Sequence, residues 1–256
     1  MLNSKIAIST SFIAALALLQ GCQSLPNQPI CPGNIPLVDE GIAGYSLNGT
    51  PIHYSRIGCG PRTALVYGAI HGDEPASATL TQLLTDKLKT LPVEWKTQYQ
   101  IITISVLNPD GLDANTRGNA RGVDLNRNFP TANRINNHQF GMRALSEPEA
   151  VALVNIQRRY PPTRVIAIHQ PLACIDHDGP AEHISLAMGR YTDLPQCHLG
   201  ARPGSHGSYT GVDRQTPIVT FEMKPKDHYL SKDEIWQHYG KAIMAGITYP
   251  TAPPDL

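Results

Sequence analysis

Several apolar runs in this sequence each end in a residue that can bind a metal or carry a proton. Residues 64–70 lead directly into His71-Gly72-Asp73-Glu74, Ile166-Ala167-Ile168 into His169-Gln170, and Val219-Thr220-Phe221 into Glu222. A His and a Glu three apart, just past a strand end, can converge on one ion. Zinc accepts imidazole nitrogen and carboxylate oxygen, and hydrolytic sites commonly combine two histidines, one glutamate and a water. A lone His-x-x-Glu is weak evidence, because the two residue types often meet by chance on surface loops. The repetition is stronger: ligand sites of α/β sheets gather at the carboxyl ends of strands, and packing alone gives no reason to end each run this way.

The elements that must position these residues follow from hydrophobic pattern. The run 64–70 is continuously apolar, as in a strand buried on both faces, and Gly49-Thr50 reads as a hairpin turn before Ile52-His53-Tyr54. Leu80, Leu83, Leu84 and Leu88 recur at helical spacing and predict a helix over 76–89. A strand over 100–107 precedes a long polar loop over 108–137. Ser146-Glu147-Pro148-Glu149 has the form of a capping box with an early proline. Short strands are expected over 165–168 and 217–221, and a last helix over 231–247 again opens with Ser-x-x-Glu. Strands alternating with helices imply an α/β domain with a largely parallel or mixed sheet. Residues 41–256 read as one domain, with no internal repeat.

The chain has 256 residues with Lys plus Arg 21 against Asp plus Glu 21. That balance argues against nucleic-acid binding, which normally needs a basic excess or stripe. The apolar run 6–19 after Lys5 is too short to span a bilayer and reads as a signal peptide over 1–21. Its end, Leu19-Gln20-Gly21-Cys22, resembles a bacterial lipobox, which implies cleavage before Cys22 and acylation of that cysteine. Residues 22–40, rich in proline, are expected to be a tether without regular structure. Export to an oxidising compartment leaves Cys31, Cys59, Cys174 and Cys197 available for disulfides. Three pairings are open; Cys31 with Cys59 and Cys174 with Cys197 close the loops of modest size.

The polar loop carries the most specific signal: Asn108-Pro109-Asp110-Gly111, Arg117-Gly118-Asn119, and Gly122-Val123-Asp124-Leu125-Asn126-Arg127-Asn128-Phe129. With the strand-end residues, these resemble the zinc carboxypeptidases over essentially all of 41–246. The resemblance implies a single-domain α/β fold, a mixed, mostly parallel twisted sheet with helices on both faces, and one zinc ion per chain. It implies that His71, Glu74 and His169 are the zinc ligands and that Asp124 orients the first histidine. Glu222 would take a proton from the attacking water and pass it to the leaving amine. Arg117 would stabilise the oxyanion, with Arg121 as its local rival. Asn126 and Arg127 would grip the free carboxylate of the terminal residue, for which a planar guanidinium is suited. Ser205 and His206, in the Gly204–Ser208 stretch, match the pocket for the terminal side chain. One departure stands out: where digestive members carry a mobile Tyr, this chain has Gln196-Cys197-His198-Leu199-Gly200. Tyr209, just beyond, is a candidate cover for the site.

A narrower resemblance, carried by 169–176 and 204–208, is to the murein peptide amidases of this family. Together with the periplasmic, lipid-anchored location that the lipobox implies, with the anchor as the only membrane link, it implies cleavage of the γ-D-glutamyl–meso-diaminopimelate bond. An acidic residue would then suit the ammonium of diaminopimelate; Asp176 is the candidate, with Asp178 and Asp213 as rivals. The alternatives are a carboxypeptidase of ordinary C-terminal residues, or an N-acyl amino acid deacylase of the succinylglutamate desuccinylase and aspartoacylase type. A non-catalytic wall-binding protein would usually have lost a ligand or the base, and neither is missing here.

Overall fold

The computed structural model describes residues 30, 31, 33 and 35–256. The expected signal peptide over 1–21 and the lipidation candidate Cys22 lie outside the described residues. The order of elements is β1 (Ile30–Cys31), β2 (Ile35–Pro36), β3 (Val38–Tyr45), β4 (Pro51–Gly58), β5 (Arg62–Tyr67), α1 (Pro75–Thr90), α2 (Val93–Lys96), β6 (Tyr99–Ile104), α3 (Pro109–Ala114), α4 (Pro148–Arg159), β7 (Arg164–His169), β8 (Cys174–Asp178), α5 (Glu182–Gly189), β9 (Ile218–Glu222) and α6 (Lys232–Thr248). One seven-stranded mixed sheet runs β3-β4-β6-β5-β7-β9-β8. Its centre, β6-β5-β7-β9, is parallel, and antiparallel pairings flank it on both sides.

Side-chain alternation along the central strands sorts the core into two layers. Ala64, Val66, Ile166, Ile168, Val219 and Phe221 face one side, where α1, α5 and α6 bring Leu80, Leu84, Met188 and Ile243. Leu65, Tyr67, Val165, Ala167 and Ile218 face the other, against Leu153 and Ile156 of α4 and Leu125 and Phe129 of the long loop. With helices covering both faces, water reaches the parallel strands only at their ends, which is where polar residues can be exposed to a ligand.

Three local expectations are corrected. The stretch 22–40 is not wholly irregular: β1, β2 and the start of β3 fall in it, and Cys31 is bonded to Cys59. The loop 108–137 contains α3 and a 3-10 turn, Leu125–Arg127. Asn108 explains α3, because its side chain accepts from Gly111 N at 2.9 Å and Pro109 follows at the first helical position. The capping box expected at Ser146 is absent; Glu147 is the N-cap residue of α4, without a side-chain cap bond. Ser146 and Glu149 are engaged with the loop instead. The second such motif does form, with Ser231 and Glu234 capping α6 reciprocally.

Candidate active site

Past β5 the chain turns sharply, with Ala69 left-handed at φ 46° and its N–H held by Ser77 Oγ at 2.8 Å. Here a glycine is required: a Cβ on Gly72 would lie 1.9 Å from the Gly111 carbonyl carbon, so only glycine lets the two backbones meet. This turn delivers His71 and then Glu74. Glu74 occupies the N-cap place of α1 but makes no capping bond. Its carboxylate is directed at the two histidines, Oε1 at 2.6 Å from His71 Nδ1 and Oε2 at 2.9 Å from His169 Nδ1. His169 is the last residue of β7.

The three side chains are buried, and their potential ligand atoms all lie within 4.8 Å of one another. His71 also has its Nε2 at 3.0 Å from Asp124 Oδ1, the kind of outer carboxylate that fixes a ligand ring. Two imidazoles turned by the same ring nitrogen toward one buried carboxylate make a donor set that fits zinc. Burial opposes charge on His71, yet Glu74 and Asp124 outweigh it and push the imidazole up to about 9. Asp124 is itself raised by burial but held far lower by His71, with Arg117 and Arg127 adding to the effect.

Glu222 ends β9, in register beside His169. It is buried, its Oε2 accepts from Leu172 N at 3.3 Å, and burial pushes its carboxyl up. Among the described residues no ion pair engages it. A carboxylate of this kind can accept and return a proton. Arg117 lies across the cluster, its Nε on Asp124 Oδ2 at 3.0 Å and its Nη1 3.7 Å from Glu74 Oε1. Arg121 points elsewhere, pairing with Glu147 Oε1 at 3.1 Å, and does not line the cavity. The loop bearing both is fastened by Asn119, a residue the sequence reading used only for spacing. Its Nδ2 donates to Glu147 Oε2 at 2.8 Å and Glu149 Oε2 at 3.1 Å, while its Oδ1 accepts from Arg121 N and Val123 N. No sequence pattern announces that link, because 28 and 30 residues separate the partners.

These groups open on a cavity of about 210 Å³ that Asn126, Arg127, Asp176 and Ser205 also line. Among the described residues, the Arg127 side chain donates to the Asn126 carbonyl and forms no ion pair. Asn126 Oδ1 accepts from His206 N at 2.9 Å, which leaves its amide N–H₂ for a ligand. Asp176 Oδ1 accepts from Leu199 N at 3.1 Å, in the segment that the Cys174–Cys197 disulfide ties to β8. Asp178 and Arg202 also line the cavity; Arg202 was not singled out by sequence.

The expectation for His206 is corrected. Its ring is fully buried, bonded to Tyr67 OH at 3.0 Å and near Gln157 and Thr210, and burial drops its imidazole to about 3. It is a neutral core residue whose backbone, not its ring, serves the site. Tyr209 is likewise buried, packed on Phe129, and covers nothing. Asp213 is exposed and off the cavity, accepting from Ala132 N.

Comparison with known proteins agrees with this geometry. The family described as Peptidase_M14, zinc carboxypeptidase, matches residues 37–174. Murein peptide amidase A of Escherichia coli (strain K12) is 32% identical over 215 residues, covering 77% of this chain and 84% of that protein. The crystal structure of murein-tripeptide amidase MpaA from Escherichia coli O157 superposes with a TM-score of 0.62 at 28% identity, covering 89% of this chain and 95% of that one. Carboxypeptidase A from Helicoverpa armigera shares the fold, with a TM-score of 0.67 at 19% identity over 82% of this chain and 67% of its own. Strand ends, cluster and relatives converge: the chain is a metallopeptidase and belongs to the zinc carboxypeptidase family.

Proposed function

We propose that this enzyme hydrolyses the γ-D-glutamyl–meso-diaminopimelate bond of murein peptides. The observation that carries the reading is one cavity lined by the His71–Glu74–His169 cluster and Glu222 together with Arg127, Asn126 and Asp176. Similarity to murein peptide amidase A supports the substrate class.

His71, Glu74 and His169 would hold zinc, which would supply Lewis acidity for the hydrolysis. Asp124 keeps the His71 ring oriented. Glu222 takes a proton from the attacking water and returns it to the leaving amine of diaminopimelate; its raised carboxyl makes it the stronger base for the first of these transfers. Arg117 faces the negative charge that builds on the carbonyl oxygen. Arg127 and the Asn126 amide hold the free carboxylate of the terminal residue, and Asp176 receives its ammonium. Disulfides at Cys31–Cys59 and Cys174–Cys197 suit an oxidising compartment, and with the apolar run 6–19 and Cys22 they support a lipid-anchored periplasmic enzyme.

The test is a digest of L-Ala-γ-D-Glu-meso-diaminopimelate by the chain lacking its first 22 residues, with mass spectrometry for free diaminopimelate. Release abolished both by chelation and by Glu222→Gln supports the reading. No release from zinc-loaded, folded protein overturns it in favour of ordinary C-terminal peptides or N-acyl amino acids. Fatty-acid labelling of the full chain, lost in Cys22→Ser, tests the anchor.

A further inference from the structure

The cavity lining holds charges of both signs that do not pair with one another. Asp176 and Asp178 line it, as does Arg202. Among the described residues, none of the three takes part in an ion pair. Asp176 accepts a backbone N–H from Leu199, and among the described residues the side chains of Asp178 and Arg202 make no hydrogen bond. Asp178 is kept open to the cavity by a glycine: a Cβ on Gly207, which also lines the cavity, would lie 2.2 Å from Asp178 Oδ2. Arg202 sits close enough to Arg127 to act on its guanidinium electrostatically, yet Arg127 already has a role at the terminal carboxylate. Asp176 is buried and Asp178 half-buried, so their charges gain from a ligand cation, while the exposed Arg202 guanidinium is free to take an anion of the same ligand.

We propose that Arg202 and the Asp176–Asp178 pair together read a side chain that ends in a zwitterionic amino-acid centre, Arg202 taking its carboxylate and the aspartates its ammonium. The proposal rests on the murein reading and deepens it. Diaminopimelate carries such a centre at the end of its side chain. Lysine is the same residue with the distal carboxylate replaced by hydrogen, and 2-aminopimelate is the same residue without the distal ammonium. Arg202 is thus the specificity-determining residue that separates diaminopimelyl from lysyl peptides.

The experiment measures kcat and KM of the zinc-loaded enzyme on three tripeptides, L-Ala-γ-D-Glu followed by diaminopimelate, L-lysine or L-2-aminopimelate. Arg202→Gln is expected to lower kcat/KM on the diaminopimelyl peptide roughly tenfold, mostly through KM, and to leave the lysyl peptide within about twofold. Arg202→Lys should recover part of the loss. Asp178→Asn should weaken the diaminopimelyl peptide and spare the aminopimelyl peptide. Equal losses on diaminopimelyl and lysyl peptides would place Arg202 at the shared terminal carboxylate and overturn the proposal, as would no loss on either. Cleavage of none of the three by the unmodified enzyme would overturn the murein reading itself; cleavage of all three at similar rates would leave that reading standing and sink this one.

Discussion

The two sides of the cavity are built on opposite principles. On the zinc side, the ligand cluster and its neighbours are tied to one another, Glu74 to His71 and His169, Asp124 to His71 and Arg117, with Glu222 left outside these pairs. Neighbouring charges hold the Glu74 and Asp124 carboxyls low despite burial. On the substrate side, among the described residues, Arg127, Arg202 and Asp178 take part in no ion pair, and burial together with Asp176 raises Asp178. The first side is organised before any ligand arrives; the second waits for one. Catalytic electrostatics need fixed geometry, whereas recognition gains most from groups that only the right ligand satisfies.

The contrast is broken most severely on the zinc side. Glu74→Ala removes the carboxylate that both histidines share, so zinc content measured on the purified protein should fall to background, with activity lost alongside it. Glu222→Gln should separate proton transfer from binding: zinc stays, KM changes little, and kcat falls about a thousandfold. Loss of zinc from Glu222→Gln would mean that the side chain is part of the metal cluster rather than its neighbour.

On the substrate side the expected losses are smaller and appear in KM. Arg127→Gln should raise KM for the diaminopimelyl tripeptide roughly thirtyfold while zinc content is unchanged, since only a charge-assisted bond to the ligand is lost. A fall in kcat without a rise in KM would move Arg127 to the developing oxyanion, in place of Arg117.

Asn119 links the two sides, because it anchors the loop that carries Arg117, Asp124, Asn126 and Arg127. Asn119→Ala deprives the buried Glu147 and Glu149 carboxylates of a donor and should destabilise the fold by about 1–3 kcal/mol, read from denaturant unfolding. Activity at a temperature where the variant is folded should drop on both kcat and KM. Stability lost with kinetics intact would show that the loop keeps its shape without this clasp.

The same contrast governs what the sequence revealed. His71, Glu74, His169 and Glu222 were legible because each follows an apolar run that had to be a buried strand, and the carboxyl ends of such strands point one way. The Val-Asp-Leu-Asn-Arg-Asn-Phe run was legible through family resemblance. Asp176, Asp178 and Ser205 were named from that resemblance, but Arg202 was not legible, because it lies on a loop whose path is set by distant partners: Gly204 N bonds Thr131 Oγ1 and Phe129 N bonds Gly204 O. His206 misled for a related reason. Its neighbours in sequence line the cavity, but its ring points inward to Tyr67, a direction that sequence spacing cannot give. The motif at Ser146 misled because Glu149 serves tertiary contacts to Asn119 and Leu47 that override a local cap.

The smallest effect follows from leaving Asp178 unpaired. Burial and the adjacent Asp176 raise its carboxyl above the ordinary value of 3.8 in the folded chain. The fold therefore favours the protonated form. The stability this gives is fully present below about pH 3.8 and is lost as pH rises through the raised folded value, so at neutral pH the ionised group is a net cost. Asp178→Asn keeps the shape, removes no hydrogen bond of that side chain, and abolishes the charge. The variant should be more stable than the parent at pH 7 by ~0.5 kcal/mol, a small figure because the group is partly exposed and screened, and no more stable at pH 3.5. Paired thermal melts at the two pH values check this. A gain equal at both would trace to packing rather than charge, and a loss at pH 7 would reveal a cationic partner for Asp178 and return this wall to the interlocked class of the zinc side. A gain confined to neutral pH, together with weakened diaminopimelyl cleavage, would mark Asp178 as a residue kept for its ligand at the expense of the fold.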